Sequence, residues 1–243
     1  METYNCNYDF IVDYDFVDKN NKLTNKGFLK YLCDAGSKHS NEAGYGLNDF
    51  EKTHLVWLVL NWKIEIYRRP KTDEKIHLVT WSSGAEKVCS YRDYKMYDNK
   101  NNLIALATSK WALFDLVKGS LARVTKEITD AYHTRDERVF DNNNLKLVEP
   151  EKEASNEYLY KIMRRDIDTN KHVHNTNYLD IGEEVLPEEI YENMDFKNIE
   201  IMYKHQALLG DTLKASYYKL EDNHTIVIKN SVDGKLNCII KLS

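Results

Sequence analysis

The sequence is poor in the residues that mark flexible linkers, disulfide frameworks and membrane spans. It contains only three prolines, so proline-rich linkers are not expected. Its four cysteines are scattered and form no CxxC pair, which indicates neither a disulfide framework nor a cysteine zinc site. No apolar run approaches the roughly 20 residues of a membrane span. These absences predict a protein of the reducing cytoplasm that does not insert into membranes.

An excess of positive charge is also lacking. Lys and Arg number 34 against 39 Asp and Glu, and the net charge of −5 argues against nucleic acid and anionic membranes as main partners. The first five residues are neither basic nor apolar, so they predict no signal or transit peptide. The glycines form no phosphate-binding loop, and no cofactor is expected.

What the sequence does contain is a pattern of alternating apolar and polar residues. Seventeen tyrosines favour β-structure. Residues 4–17 predict a strand, and residues 26–42 predict a helix with one apolar face. Four strand-like runs follow, at 55–67, 75–81, 88–97 and 103–113. A sheet of this size needs a cover for its apolar face, and this helix is the only long amphipathic one nearby. A sheet wrapped around a central helix is the hotdog arrangement.

The same order recurs in the second half of the chain. A polar stretch at residues 133–155 predicts a linker between an N-terminal domain at 1–132 and a C-terminal domain at 156–243. Beyond the linker the pattern predicts a strand, a helix and three more strands, at 158–165, 175–186, 212–220, 225–232 and 236–242. The repeat predicts an α+β fold, a tandem double hotdog with two antiparallel sheets, each wrapped around a long central helix.

One stretch between the predicted strand and helix of the second half is rich in reactive side chains. It reads R-R-D-I-D-T-N-K-H-V-H-N-T-N-Y from residue 164 to residue 178. In an extended segment alternate residues point to the same side, so Asp168, Asn170 and His172 are expected to face one pocket. A helix that begins near Asn175 would direct its free N–H groups toward the same pocket. The alternative interpretation is a helix cap with solvated neighbours.

This stretch resembles the second-half signature of acyl-acyl carrier protein (acyl-ACP) thioesterases, which in plant members reads close to D-L-D-V-N-Q-H-V-N-N-x-x-Y. The same positions run here from Asp166 to Tyr178, with His174 in place of an Asn. The corner Tyr67-Arg68-Arg69-Pro70 is similar to the first hotdog of that family. The resemblance covers nearly the whole chain. It implies a tandem double hotdog that binds the acyl chain in the first half and carries the reacting groups mostly in the second.

The resemblance also implies an activity, thiolester hydrolysis that releases free fatty acid from acyl-ACP, and roles for single residues. Asp168 would act as the base toward water or attack the thioester to form an anhydride, and the sequence leaves both routes open. Asn170 would hold water or the carbonyl oxygen, and His172 would stabilise the oxyanion or shuttle a proton. In a strand of the second half, family members carry a Glu, and in plants a Cys after it; the matching stretch here, residues 203–207, has Gln206 and Ala207 at these positions. Gln206 can position water but cannot take its proton, and no cysteine is expected to be catalytic.

The implied partner, acyl carrier protein, is acidic, so a basic contact surface is expected. The residues predicted to form it are Arg68, Arg69, Arg164 and Arg165. A homodimer is compatible with the sequence. His172 and His174 form an H-x-H pair without a third histidine nearby, so no metal site is expected. Two other classes remain: an acyl-CoA thioesterase or another hotdog enzyme acting on a coenzyme-A thioester, and a non-catalytic acyl-binding module.

Overall fold

A computed structural model describes residues 6–141 and 145–243 of the chain. The chain divides into two compact units, unit 1 at residues 1–143 and unit 2 at residues 144–243. Two predicted features extend outside the described residues. These are the start of the first strand at Tyr4 and Asn5, and the three asparagines 142–144 in the middle of the predicted linker.

Unit 1 is an antiparallel sheet with one long helix. Its elements are β1 (Cys6–Ile11), α1 (Asn25–Glu42), α2 (Phe50–Thr53), β2 (Leu55–Ile66), β3 (Lys75–Glu86), β4 (Cys89–Asp98), β5 (Leu103–Asp115), β6 (Ser120–Leu121) and α3 (Lys126–Ala131). The strand order is β1-β3-β4-β5-β2, with the short β6 paired to β5. Every one of these pairs is antiparallel. The four predicted strands of the first half are present, and β3, β4 and β5 follow one another as a meander, whereas β2 pairs with β5 and not with β3.

Helix α1 forms where the sequence places a cap ahead of an apolar face. The Thr24 hydroxyl accepts a hydrogen bond from the Gly27 N–H at 3.0 Å, which satisfies one of the free donors of the first turn. Phe28 and Leu32 on the buried face are almost completely excluded from solvent. A Cβ on Gly36 would lie only 2.9 Å from the Tyr94 hydroxyl oxygen. Glycine at this position therefore lets α1 pack closely against the sheet.

The first part of the predicted linker packs on the sheet of unit 1. The Trp81 indole N–H donates to the Glu137 carbonyl at 2.8 Å, and the Arg135 guanidinium lies 4.5 Å from the centre of the Trp81 ring. The Val139 N–H donates to the buried Asp93 carboxylate at 3.1 Å. In the described residues of 133–155 there is no helix or strand, but residues 135–139 are held by these contacts.

Unit 2 repeats the strand order of unit 1. Its elements are β7 (Asn156–Lys161), α4 (Asn177–Glu183), α5 (Glu188–Tyr191), β8 (Asn198–Tyr203), β9 (Thr212–Lys219), β10 (His224–Asn230) and β11 (Leu236–Leu242). The order β7-β9-β10-β11-β8 corresponds strand by strand to β1-β3-β4-β5-β2, and the pairs recorded within it are antiparallel. The predicted duplication is therefore visible in the topology.

The helix of unit 2 is much shorter than predicted. The pattern predicts a long helix over 175–186, whereas α4 has seven residues. It starts late because the Asn177 N–H donates to the His174 carbonyl in a turn that precedes the helix. It ends early because Val185 and Leu186 donate to carbonyls only three residues back, and Pro187 has no N–H to continue the helix. Among the described residues, none of the helices is long and apolar enough to cross a membrane.

Candidate active site

The polar stretch of unit 2 is a tight turn and not an extended segment. Ile167 and Val173 pair as an isolated antiparallel bridge, and the chain reverses between them. The Asp168 N–H donates to the His172 carbonyl at 2.8 Å, and the Lys171 N–H donates to the Asp168 carbonyl at 3.1 Å. Lys171 has a φ of 66°. The expectation that side chains 168, 170 and 172 point to one side by strand alternation is therefore wrong.

The Asp168 carboxylate holds this turn together with one of its two oxygens. Its Oδ1 accepts the Asn170 N–H at 2.8 Å and the His172 N–H at 3.4 Å. Within the described ranges, no hydrogen bond to the second oxygen, Oδ2, is formed. A carboxylate fixed through one oxygen keeps the other for a water molecule or a substrate carbon.

The other predicted groups lie on the same turn but are not joined in a network. Asn170 is at the exposed tip, and His172 is half-buried at the base beside Asp168. Across residues 6–141 and 145–243, the side chains of Asn170 and His172 donate to no protein group and accept from none. Asp168, Asn170 and His172 are therefore held near one another by hydrogen bonds to the backbone of the turn. Catalytic hydrogen bonds of this kind often form only when substrate is bound.

Gln206 lies in a loop beside the turn. The prediction placed residues 203–207 in a strand, but β8 ends at Tyr203, and His205 and Gln206 are both exposed in the loop that follows. The Val173 N–H donates to the Ala207 carbonyl at 2.9 Å. This bond joins the Gln206 loop to the turn that carries Asp168 and His172.

Asn237, which has no part in the predicted site, holds the Gln206 loop in place. The Asn237 side-chain amide donates to the carbonyls of His205, at 3.0 Å, and Gln206, at 3.3 Å. Burial raises the pKa of the Tyr178 phenol, whose ring lies with its centre 5.7 Å from that of Tyr203. The sequence signal for Asn237 was a single amide in an otherwise apolar last strand, and it is almost fully buried.

The four arginines predicted to contact a carrier protein have different environments. Arg69 is buried, donates to the Leu23 carbonyl at 2.9 Å and to the Asn25 side chain at 2.7 Å. The guanidinium of Arg69 is therefore not presented to a partner, and the prediction for this residue is wrong. Arg68 pairs with Glu74 at 2.8 Å and with Asp98 at 3.3 Å. Arg164 and Arg165 are exposed in a single 3-10 turn after β7.

His39 and the four cysteines lie outside this turn. His39 of unit 1 is buried, and its Nδ1 accepts from the Arg92 guanidinium at 2.7 Å. Burial raises the pKa of the Cys33 thiol to about 12, and burial also raises the pKa of Cys238. All four cysteines are free thiols. In the described part of the chain, no group of three or more His, Cys, Asp or Glu residues is arranged to hold a metal ion.

The repeated strand order, with a helix against each sheet, defines the class of fold as a tandem double hotdog, as the sequence predicted. Solved structures share it. An acyl-ACP thioesterase from Bacteroides thetaiotaomicron has a TM-score of 0.86 at 22% identity and matches 98% of this chain and 96% of its own. The 12:0-ACP thioesterase from Umbellularia californica has a TM-score of 0.86 at 15% identity, with the same coverage.

The sequence itself narrows this class to one family. The family model of the acyl-ACP thioesterase N-terminal domain matches residues 2–132, and that of the C-terminal domain matches residues 149–241. The chain belongs to the acyl-ACP thioesterase family. Oleoyl-acyl carrier protein thioesterase 2 of Arabidopsis thaliana is 28% identical over 219 residues, which is 83% of this chain. The oleoyl-acyl carrier protein thioesterase of Coriandrum sativum is 26% identical over 90% of this chain. The chain spans 59% and 64% of the lengths of these two relatives.

Proposed function

We propose that the protein hydrolyses the thioester of fatty acyl-ACP and releases free fatty acid, which ends chain elongation. The observation that carries this proposal is that both family models match, one to each unit, together with a turn in unit 2 that carries Asp168, Asn170 and His172. The oleoyl-specific names of the relatives support a fatty acyl group as the substrate class.

The reaction uses the groups of this turn. Water adds to the thioester carbonyl after Asp168 Oδ2 takes its proton, or Asp168 itself attacks the carbonyl and the resulting anhydride is hydrolysed. In both routes the carbonyl oxygen becomes an oxyanion, which His172 or the Asn170 amide stabilises by donating a hydrogen bond. The carbon–sulfur bond then breaks and the thiolate leaves with a proton from His172 or water. Gln206 positions the attacking water from the neighbouring loop.

The proposal also assigns a different role to each half of the chain. Residues 1–132 bind the acyl chain, residues 133–155 link the halves, and residues 156–243 carry the catalytic groups. The limits of the two family models, 132 and 149, support the position of this linker. The four free thiols fit the reducing cytoplasm that the sequence predicts, and a homodimer remains part of the proposal.

Hydrolysis of a panel of thioesters by the purified protein tests this function. We expect release of free thiol from fatty acyl-ACP with a kcat/KM at least about tenfold above that for the matching acyl-CoA, a difference that corresponds to roughly 1.4 kcal/mol of recognition of the carrier. A preference for acyl-CoA would assign the protein to the coenzyme-A thioesterases. Binding of the acyl group without turnover would make it an acyl-binding module.

A further inference from the structure

Both units build the same surface corner beside their turn, with the same backbone hydrogen bonds. In unit 1 the Val12 N–H donates to the Glu74 carbonyl at 3.0 Å, and in unit 2 the Ile162 N–H donates to the Asp211 carbonyl at 2.9 Å. The Leu23 N–H donates to the Pro70 carbonyl at 2.8 Å, as the Val173 N–H donates to the Ala207 carbonyl at 2.9 Å. A side-chain carboxylate accepts a backbone N–H in each corner, Glu74 from Lys71 and Asp211 from Leu208, both at 2.9 Å. The two corners are therefore one structural element built twice from different side chains.

The side chains on these two corners have opposite character. The exposed residues of the unit 1 corner are Asp13, Tyr14, Asp15, Lys71 and Asp73. The equivalent corner of unit 2, here called the basic apolar corner, exposes Met163, Arg164, Arg165, Leu208 and Leu209, of which Leu209 corresponds to the half-buried Thr72 of unit 1. Met163, Leu208 and Leu209 are 49%, 46% and 55% exposed. Unit 1 forms the corner with one exposed aromatic residue, Tyr14, and with no aliphatic side chain among these five positions. The fold therefore does not require the exposed aliphatic side chains of unit 2. An exposed apolar patch that the fold does not need marks an interaction surface.

Charge shows which kind of partner fits this surface. Residues 158–172 contain four Lys and Arg against two Asp, whereas residues 8–22 contain two Lys against four Asp. The whole chain carries a net charge of −5, so the basic character of unit 2 is local. Arg164 and Arg165 are both exposed. A patch of apolar side chains next to two arginines complements an acidic protein surface with a few apolar groups.

The basic apolar corner is continuous with the candidate active site. Leu208 and Leu209 directly follow Ala207, whose carbonyl accepts the Val173 N–H at 2.9 Å. His172 is the neighbour of Val173, and Arg164 and Arg165 lie just ahead of the turn. A partner that covers this corner therefore sits beside Asp168 and His172. This position suits a carrier that must deliver its thioester to the turn.

We propose that the basic apolar corner of unit 2 is the docking surface for the acidic acyl carrier protein. This inference rests on the proposed function and deepens it, because it assigns carrier recognition to unit 2 and excludes the corresponding corner of unit 1. The arginines pair with carboxylates of the carrier, and the three apolar side chains are buried in the contact.

Paired charge reversals test the assignment. The variant Arg164→Glu/Arg165→Glu changes the basic apolar corner, and Lys71→Glu/Lys100→Glu, two exposed lysines of unit 1, makes the same change in net charge elsewhere. Each protein is assayed with acyl-carrier and with the small thioester acyl-N-acetylcysteamine, and binding of the unacylated carrier is measured directly. The measured quantity is the kcat/KM for acyl-carrier divided by the kcat/KM for the small thioester. We expect the arginine variant to lower this quotient by about tenfold through a higher KM for acyl-carrier, and to make carrier binding less dependent on salt. The lysine variant should keep this ratio within about twofold.

A second variant tests the apolar part without a change in charge. Leu209→Thr copies Thr72, the residue at the same place in unit 1, and is expected to weaken carrier binding by about threefold to tenfold, as loss of one apolar contact does. Equal effects of the arginine and lysine variants, or no effect of the arginine variant, would overturn the inference. A dimer that Leu209→Thr dissociates in sedimentation would show that a second copy of the chain occupies the corner, which also overturns it.

The outcome separates this inference from the proposed function. A protein that hydrolyses the small thioester but does not bind the carrier would refute the docking surface and leave the hydrolase in place. A protein that binds the carrier through the arginines but hydrolyses neither thioester would keep the docking surface and refute the hydrolase.

Discussion

Each unit contains the same aspartate-capped turn. Asp18 Oδ1 accepts the N–H groups of Asn20 and Lys22 at 2.8 and 2.9 Å, as Asp168 Oδ1 accepts those of Asn170 and His172 in unit 2. Both turns are closed by a bridge, Val17 with Leu23 and Ile167 with Val173. A 3-10 turn precedes each, and a helix follows each. The aspartate of the Asp-x-Asn sequence therefore has a structural role in both units, where it stabilises the turn.

The turns of the two units differ in the side chains that could take part in catalysis. Unit 1 has Lys22 where unit 2 has His172, so in unit 2 the carboxylate is combined with an imidazole, whose nitrogens can donate and accept hydrogen bonds. The neighbouring loop differs too. Arg69 of unit 1 and Gln206 of unit 2 occupy equivalent positions, since the carbonyl of the residue after each accepts a hydrogen bond from the turn. The Arg69 guanidinium donates two hydrogen bonds to the segment that follows the unit 1 turn. Gln206 leaves the turn of unit 2 accessible.

The interiors under the two helices differ as well. In unit 1, Gly36 faces Tyr94 and Arg92, and Arg92 donates to the buried His39. In unit 2, Gly182 faces the aliphatic side chains of Ile226 and Ile240. A duplicated backbone thus supports a polar interior in one unit and an apolar one in the other. The buried His39 of this polar interior gives unit 1 a dependence on pH.

Substitution of His172, the residue that distinguishes the unit 2 turn from the unit 1 turn, should have the largest effect on activity. His172→Lys gives unit 2 the residue of unit 1, and we expect kcat for acyl-ACP to fall about 100-fold or more with little change in KM, because the proton shuttle is lost. The matched control Lys22→His should keep activity. Near-normal turnover by a folded His172→Lys protein would contradict the role assigned to His172.

Removal of the carboxylate charge separates capping from catalysis. Asp168→Asn keeps an oxygen that accepts the two N–H groups, so the free energy of unfolding should change by less than about 1 kcal/mol. Loss of the base or nucleophile should nevertheless lower kcat about 100-fold. Asp18→Asn is the control and should be as stable and fully active. If both variants were fully active, the two turns would have a purely structural role.

Acid should destabilise unit 1 through His39. Burial and the charge of Arg92 lower the pKa of His39 to about 3, while the unfolded chain titrates near pH 6.5. The unfolded state therefore binds the proton first, and stability present above pH 6.5 is lost as the pH falls toward 3. We expect His39 to account for about 2 kcal/mol of loss between pH 7 and pH 5.

Tryptophan fluorescence can measure this loss in unit 1 alone. All four tryptophans, Trp57, Trp62, Trp81 and Trp111, lie in unit 1. His39→Gln keeps an acceptor for Arg92 but does not titrate, so its urea midpoint should vary less with pH over the same range. An identical pH dependence in His39→Gln would assign the acid sensitivity to other groups.

Changes at Gln206 should have smaller effects. Gln206→Ala is expected to lower kcat about tenfold or less, because an exposed loop amide positions water without taking its proton. Gln206→Glu restores the carboxylate of the family and is expected to raise activity or shift the pH optimum by repulsion with Asp168. A pH–rate profile of both variants measures the difference. A loss in Gln206→Ala as large as in His172→Lys would give Gln206 a direct chemical role.

Thiol alkylation should have the smallest effect. Cys6 and Cys238 are buried, Cys33 has its thiol pKa raised to about 12, and Ala207 occupies the place of the plant cysteine. Treatment with iodoacetamide under native conditions should therefore leave most of the activity intact. Complete inactivation of a folded protein, prevented by substrate, would contradict this.

The alternation of apolar and polar residues predicted the strands and their repetition, because a half-buried antiparallel strand must alternate. The pattern overestimated the helix of unit 2, since the apolar spacing continues to Leu186 while hydrogen bonding has already changed at Val185. It also missed the packing of Glu137 on Trp81, because a polar segment that binds through its backbone carbonyl has no periodic signature.

For the candidate site, the order of residues along the chain already brings together a carboxylate, an amide and an imidazole, at residues 168, 170 and 172. How these side chains are presented depends on the three-dimensional fold. It made the stretch a turn, because the 168 carboxylate is satisfied by backbone N–H groups four residues or fewer away. It also buried Arg69 and left Arg164 exposed, although both belong to an Arg-Arg pair that follows a strand. The reason is long-range: chain reversal brings the Leu23 carbonyl and the Asn25 side chain to the Arg69 guanidinium, and no local pattern encodes that contact.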